Sequence, residues 1–532
     1  MTNGYDQWLI VNCQWRIVNI IMNKTSRSSK ILFFGMDGAT WRILKPMMAQ
    51  GRLPNLQRLC DSGASGVLQS IEPMVSPAIW TSIASGKTPD KHGVWDFVVS
   101  SKSVRCKRVW DMASQSGWRV GLCGYMVTWP PPELNGFVIP GSFSRGPETH
   151  PASLQAIREL DMTQRSDNRR SLFTAMQRAW QCHRLGVRPS SFADAALTLV
   201  RTRAQRDYLE KFYQMRRIGF EAYADVFVRQ VQHFQTQLSM YVFTLVDSTS
   251  HNYWKFMEPE TSASSVEPRE IQKHRSKIYR AYEAVDRMIG RTLRRLEEGN
   301  TNVIIVSDHG FQSVPEAQGR PPDRTVRILP EALVELLHWE TAAVRTFNIR
   351  GATFFRHRQE DSFQIEKMRS DLSAIRVVNS SAPFFNVSLD PYGNIEIALN
   401  PAIGELKGLQ VELPEGQIIA AEKIVAGDIG AISGDHHPEG VFIAAGPGIR
   451  RGYALQNASV LDVTPTLLAL MDLPIGQDMD GRVLTEIFKP DFLSTSPIRH
   501  IDTWEEPNWS YEEDNASADE ALKENLRSLG YL

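Results

Sequence analysis

Three short apolar runs, each followed closely by an aspartate, set the frame for this chain. Ile31–Met36 (ILFFGM) leads into Asp37-Gly38, Tyr241–Val246 (YVFTLV) into Asp247, and Asn302–Val306 (NVIIV) into Ser307-Asp308. Nearly continuous apolar runs of this length, bounded by turn signals, read as strands buried on both faces, as in a parallel sheet. In open α/β sheets, ligands and catalysis collect at the carboxyl ends of the strands. A carboxylate set there is costly to desolvate unless a positive group neutralises it.

Histidines accompany these aspartates. Asp247 is followed by His251 and Asp308 by His309, and a further pair, His436-His437, lies in the last third of the chain. Each element alone has an ordinary explanation, because Asp forms turns and caps helices. Together, Asp and His with no cysteine nearby are the ligand set of a catalytic Zn²⁺ or similar divalent ion. Six ligands (Asp37, Asp247, His251, Asp308, His309 and one of His436 or His437) suit two metals with about three ligands each and an open position on both. Ser76-Pro77, in PMVSPAIWTSIASGKTPDKHG (Pro73–Gly93), adds a candidate nucleophile. Pro favours the first helical position and Ser the position before it, so Ser76 is expected at the mouth of a short helix, where the dipole favours an anion.

The 532 residues suffice for a large core with one or two insertions. A net charge of -1 gives no basic field for a nucleic-acid polymer. Five cysteines without paired spacing favour reduced thiols over a disulfide framework. Trp8–Met22 is too short and too polar to span a bilayer and lacks the layout of an export signal, so a cytoplasmic protein without a membrane span is expected.

In order, the patterns predict an N-terminal extension (1–29), core segments at 30–146, 239–311 and 430–490, a helical insertion at 147–238, a cap insertion of mixed α/β character at 312–429, and an acidic tail (491–532) with a helix over Ser517–Leu529. The arginines of the helical insertion, among them Arg165, Arg169, Arg170, Arg184 and Arg188, read as a solvated face. Gly66–Ile71 and Val441–Ala445 are further candidate strands, and Leu461–Leu470 a helix. The fold class is α/β, a doubly wound sheet with helices on both faces.

FGMDGATW, SPAIWTSIASGKTPDKHG, TLVDSTSH, IVSDHGF and GDHHPEGVFIAAGPGI stand in the order seen in the alkaline phosphatase superfamily. Over about residues 30–145, 240–312 and 430–487 the chain most resembles the type I phosphodiesterase/nucleotide pyrophosphatase branch. The resemblance implies that Asp247, His251 and His436 hold one zinc, and that Asp37, Asp308 and His309 hold the other, with Ser76 coordinated to it. His436 is preferred to His437 because it stands second after Gly434, as in the family's Gly-x-His motif. Zinc is expected ahead of manganese or iron. The implied activity is metal-dependent hydrolysis of a small phosphoester or nucleotide-like substrate through a phospho-serine intermediate.

There are departures. The phosphate-holding Asn that follows the nucleophile motif in nucleotide pyrophosphatases is missing: His92-Gly93 leads into Val94-Trp95-Asp96-Phe97. The resemblance therefore does not carry a nucleotide preference. Pro77 and Trp80 break the sulfatase pattern, and the phosphate-clamping arginine of alkaline phosphatases proper is not recognisable. Two other readings stay open at this level: a phosphotransferase or phosphomutase on the same core, and a non-catalytic binding protein that kept the fold. Trp41, Trp80 and Trp254 flank the candidate residues and are read as core, with base stacking as the alternative.

Overall fold

Ile31–Met36 is buried residue by residue, and the two faces of the strand feed two different cores. Ile31 and Phe33 pack with Trp80, Trp110 and Tyr125, whereas Leu32, Phe34 and Met36 pack with Phe227, Tyr241 and Trp254. This is the period-2 alternation of a strand with a hydrophobic layer on each side. Removing one of these rings, as in Phe34→Ala, costs about 3–5 kcal/mol.

The computed structural model describes residues 30–95, 97, 99–141, 143–163, 172–203, 207–261, 266–296, 300–313, 327–340, 343–349, 352–357, 361–380, 382–390, 393–400, 402–403, 406–426, 433–506 and 511. The expected tail helix, the N-terminal extension and Arg165, Arg169 and Arg170 lie outside them. Of the other insertion arginines, Arg188 is ion-paired rather than merely solvated, its Nε donating to Asp225 at 2.6 Å.

Among the described residues, eight strands form the central sheet: β1 (Lys30–Met36), β2 (Gly63–Gln69), β3 (Val120–Cys123), β4 (Gly136–Ile139), β5 (Leu238–Phe243), β6 (Thr301–Val306), β9 (Glu439–Ala445) and β10 (Tyr453–Ser459). β7 (Gly310–Ser313) and β8 (Gly434–His437) pair antiparallel outside it. The sheet order is β10-β2-β9-β6-β1-β5-β3-β4. β4, β3, β5, β1 and β6 are parallel, with Gly35 opposite both Val242 and Val306. β9 runs antiparallel to both β6 and β2.

Helices cover both faces. On the side of Phe34 lie α1 (Trp41–Ala49), α2 (Pro54–Ser62), α4 (Tyr208–Phe234), α5 (Leu245–Met257) and α6 (Lys277–Leu296); on the side of Phe33 lie α3 (Ser76–Ser85) and α7 (Val463–Leu470). This is the doubly wound α/β arrangement. Described residues between 328 and 425 build a separate hydrophobic cluster, in which a four-stranded antiparallel sheet includes Ala352–His357 and Ile395–Leu399.

Two local expectations need correction. The run Tyr241–Val246 is not one strand: β5 ends at Phe243 and α5 begins at Leu245, so Asp247 sits in a first helical turn. Burial runs on both sides of the half-buried Thr244, so no period separates the end of the strand from the start of the helix. α3 begins one residue earlier than expected, because the Val75 carbonyl already accepts the Ile79 N–H at 3.0 Å. Ser76 is thus the first helical residue, and its hydroxyl is not spent on a cap.

Candidate metal centre

Each candidate residue is set in place by its own element. Asp37 follows β1 directly, in a turn where Gly38 adopts φ +68° and donates its N–H to Asp308 Oδ1 at 3.2 Å. A Cβ on Gly38 would stand 3.1 Å from the Cα and Cβ of Asp247, so only glycine lets the three acid-bearing segments close up. Ser307 fixes the approach to Asp308, donating to the Ala39 carbonyl at 3.0 Å while accepting the Val441 N–H at 2.7 Å. Asp247 occupies the first turn of α5, where the helix dipole favours a carboxylate, and His251 lies one turn further on the same face. In β8, burial alternates so that Gly434 and His436 are inward while Asp435 and His437 are less buried.

The three inward histidines share one arrangement. Nδ1 of His251 faces the Gly434 carbonyl at 2.9 Å, Nδ1 of His309 the Gly310 carbonyl at 2.9 Å, and Nδ1 of His436 the Met74 carbonyl at 3.0 Å. A carbonyl only accepts, so each Nδ1 carries the proton and each Nε2 presents a lone pair. His251 Nε2 and His436 Nε2 are 3.1 Å apart, and Asp247 Oδ1 lies 3.4 and 3.7 Å from them. Around His309 Nε2 stand Asp308 Oδ2 at 3.3 Å, Ser76 Oγ at 3.4 Å and Asp37 Oδ1 at 3.6 Å. Ligands bound tetrahedrally at 2.0–2.1 Å are spaced roughly 3.3–3.4 Å apart, so both sets have the spacing of a divalent ion's ligand shell. His309 stacks on His436 with ring centroids 3.5 Å apart, and it also groups with Asp247 and His436, so the two sets share a wall.

The electrostatics agree with such a fit. Asp37, Asp247 and Asp308 are all fully buried. Burial, then the neighbouring carboxylates of Asp308 and Asp247, push Asp37 well above the usual carboxylate range. Asp308 is also raised, mainly by burial. Burial and the adjacent His309 push His436 far down, which keeps its imidazole neutral. Both oxygens of Asp37 and Oδ2 of Asp308 find no hydrogen-bond donor among the described residues. Facing carboxylates and lone pairs with only one hydroxyl among them fit divalent cations.

A family model, type I phosphodiesterase/nucleotide pyrophosphatase, matches residues 31–408. The chain belongs to this family. It is accordingly a hydrolase of phosphoric ester or anhydride bonds, in a family that is metal-dependent and acts on small phosphoester or nucleotide substrates. Among solved structures, human and murine ectonucleotide pyrophosphatase/phosphodiesterase 5 each match at 11% identity with a TM-score of 0.45, over 86% of this chain and 100% of theirs. No curated protein matches it.

The structure brings all seven residues singled out in the sequence (Asp37, Ser76, Asp247, His251, Asp308, His309 and His436) into one buried cluster of this phosphodiesterase-family chain. The carbonyls of Met74, Gly310 and Gly434, which fix the three imidazoles, had no signal in the sequence, since a backbone acceptor is defined only by the fold. Trp80 and Trp254 are fully buried core residues and offer no stacking face; Trp41 is half-buried with its indole N–H on the Gly66 carbonyl at 2.8 Å. Among the described residues no helix is long and apolar enough to cross a membrane.

Proposed function

We propose that this protein hydrolyses phosphodiester or pyrophosphate bonds with Ser76 as nucleophile, beside two divalent ions. Asp247, His251 and His436 would hold one ion, and Asp37, Asp308 and His309, with Ser76, the other; zinc suits the mixed nitrogen and carboxylate donors best. Bound there, the ions supply the positive charge that lowers the pKa of a serine hydroxyl and offsets the charge of the phosphoryl oxygens.

One observation carries this reading. In a Ser-His-Asp relay the acid holds the imidazole nitrogen remote from the serine. Here that nitrogen, Nδ1 of His309, is spent on the Gly310 carbonyl, while Asp37, Asp308 and Ser76 all crowd Nε2. His309 therefore cannot relay a proton toward a carboxylate, and its lone pair is available as a ligand. Ser76, in the first turn of the fully buried α3, points its oxygen at the centre from a helix end that favours an incoming anion. The Oγ–P bond forms as the P–O bond to the leaving alcohol or phosphate breaks, the leaving oxygen taking up the proton that the serine gives up; water then displaces Oγ from phosphorus, returning a proton to Oγ and leaving its hydroxyl on the released phosphate.

We place substrate choice in the two insertions, 147–238 and 312–429. In support, Arg356 of the second stacks 4.0 Å above the ring of Trp95, just past the nucleophile motif where the family's Asn is missing. A reducing, cytoplasmic setting is supported by Cys106 and Cys123, which are buried free thiols. The decisive test is metal content beside hydrolysis of bis-p-nitrophenyl phosphate and p-nitrophenyl phosphate. At least two metals per chain, with diester cleavage favoured and lost in Ser76→Ala, are expected. Less than one metal per chain and turnover independent of Ser76 would sink the mechanism.

A further inference from the structure

The helix Pro268–His274 repeats the spacing that α5 uses for its two candidate ligands: Glu270 and His274 stand four residues apart, as Asp247 and His251 do. His274 is 1% exposed, yet neither of its ring nitrogens makes a hydrogen bond to any described residue. Its Nε2 lies 3.2 Å from Asp207 Oδ2 and 3.3 Å from Glu270 Oε2, close to the spacing of ligands around a four-coordinate ion. Asp207 is oriented for such a role. Its Oδ1 caps α4 by accepting the Glu210 N–H at 3.1 Å, which leaves Oδ2 turned toward His274. Asp207, Glu270 and His274 come within ligand-sharing distance of one another.

We propose that Asp207, Glu270 and His274 form a third divalent-metal site, apart from the centre around Ser76. One imidazole nitrogen and two carboxylate oxygens suit zinc or a similar transition ion, whereas calcium and magnesium take six or more oxygens. In the structure the Lys273 ammonium contacts the same Asp207 oxygen, from a side chain 39% exposed. Lysine and metal therefore compete for Asp207. Lys277 does not join the contest, because its ammonium is spent on Glu210. The site is structural in kind. The His274 ring is wedged against Tyr253 and Phe256, at 5.5 and 5.0 Å between centroids, on α5 beyond His251. A metal there would tie the start of α4 to the helix Pro268–His274 on which α5 rests.

The test is the zinc content of the purified, zinc-dialysed full chain and of Glu270→Gln, His274→Gln and Lys273→Gln. Glu270 is 44% exposed, so its variant spares the fold even where the buried His274 variant does not. Each ligand variant should carry one zinc fewer per chain than the parent, with hydrolysis of bis-p-nitrophenyl phosphate by Glu270→Gln unchanged. Competitive titration against a chromophoric chelator should show Lys273→Gln binding that zinc several-fold more tightly. Equal zinc content in parent, Glu270→Gln and His274→Gln would mean a plain ion pair and overturn the proposal. So would an affinity that Lys273→Gln leaves unchanged. Because only the difference from the parent is read, failure of the Ser76 mechanism would not be mistaken for failure here.

Discussion

Helix α3 carries two serine–histidine pairs, one near each end, and they are built for opposite purposes. Ser76 Oγ lies 3.4 Å from His309 Nε2, and Ser82 Oγ lies 2.9 Å from His92 Nε2. All four residues are fully buried. The far nitrogen decides what each pair is. Nδ1 of His309 donates to a carbonyl, so Nε2 is a bare lone pair among carboxylates. Nδ1 of His92 accepts the Val94 N–H at 3.1 Å, so the proton sits on Nε2 and is donated to Ser82. The tighter pair is thus the inert one: a satisfied pin that ties α3 to the loop after it. A short Ser–His distance says little about chemistry until the partner of the second nitrogen is known.

The comparison can be broken in order of effect. Ser76→Ala should lower kcat for diester hydrolysis by about 10³-fold or more while the protein stays folded, as judged by circular dichroism and initial rates. Comparable residual activity would remove the distinction between the two pairs. Asp37→Asn should reduce activity by ~10²-fold or more and lower metal content, read by elemental analysis, since it takes a buried charge from the ligand set. A chelator should likewise abolish turnover of the parent, and added zinc should restore it.

At the other end of α3 the expected damage is to stability. His92→Ala should cost about 2–4 kcal/mol in denaturant unfolding, with kcat per folded molecule nearly kept. His92 also gives a pH signature. Burial lowers it to about 3 in the fold, so between that value and the ordinary value near 6.5 the unfolded chain binds a proton that the folded chain does not. Its contribution to stability is complete above about pH 6.5 and is lost as the pH falls toward 3, on the order of 5 kcal/mol in all. That part of the acid sensitivity should vanish in His92→Ala. Ser82→Ala is the mildest change, leaving the His92 Nε2–H without its acceptor at about 1–3 kcal/mol and catalysis untouched.

What could be read from the sequence follows from where information is local. An apolar run ending in Asp-Gly or Ser-Asp-His places Asp37 and Asp308 at strand ends, because burial, strand length and turn chemistry all lie within a few residues. Asp247 is less legible, since only Thr244 separates the apolar end of β5 from the apolar start of α5, and the backbone hydrogen bonds show the change of element. The reversed direction of β9 has no local signature either; its two neighbours, β6 and β2, are both remote in sequence. For the pair His436-His437 the strand's alternation decides which one faces inward, and that required knowing that β8 is a strand.

The reversed strand has a further consequence, for the order in which the protein is made. Asp37 and Asp308 come after their strands, but His436 comes before β9 and is held by Met74, 362 positions away along the chain. Gly38 and Asp308 are bonded across 270 positions. On a ribosome adding about 5–20 residues per second, the early aspartates wait tens of seconds for their last partners to emerge. Metal loading at these residues would therefore be a closing event in biogenesis, and a nascent chain cut short of β8 keeps its acidic groups with one of the three inward histidines missing.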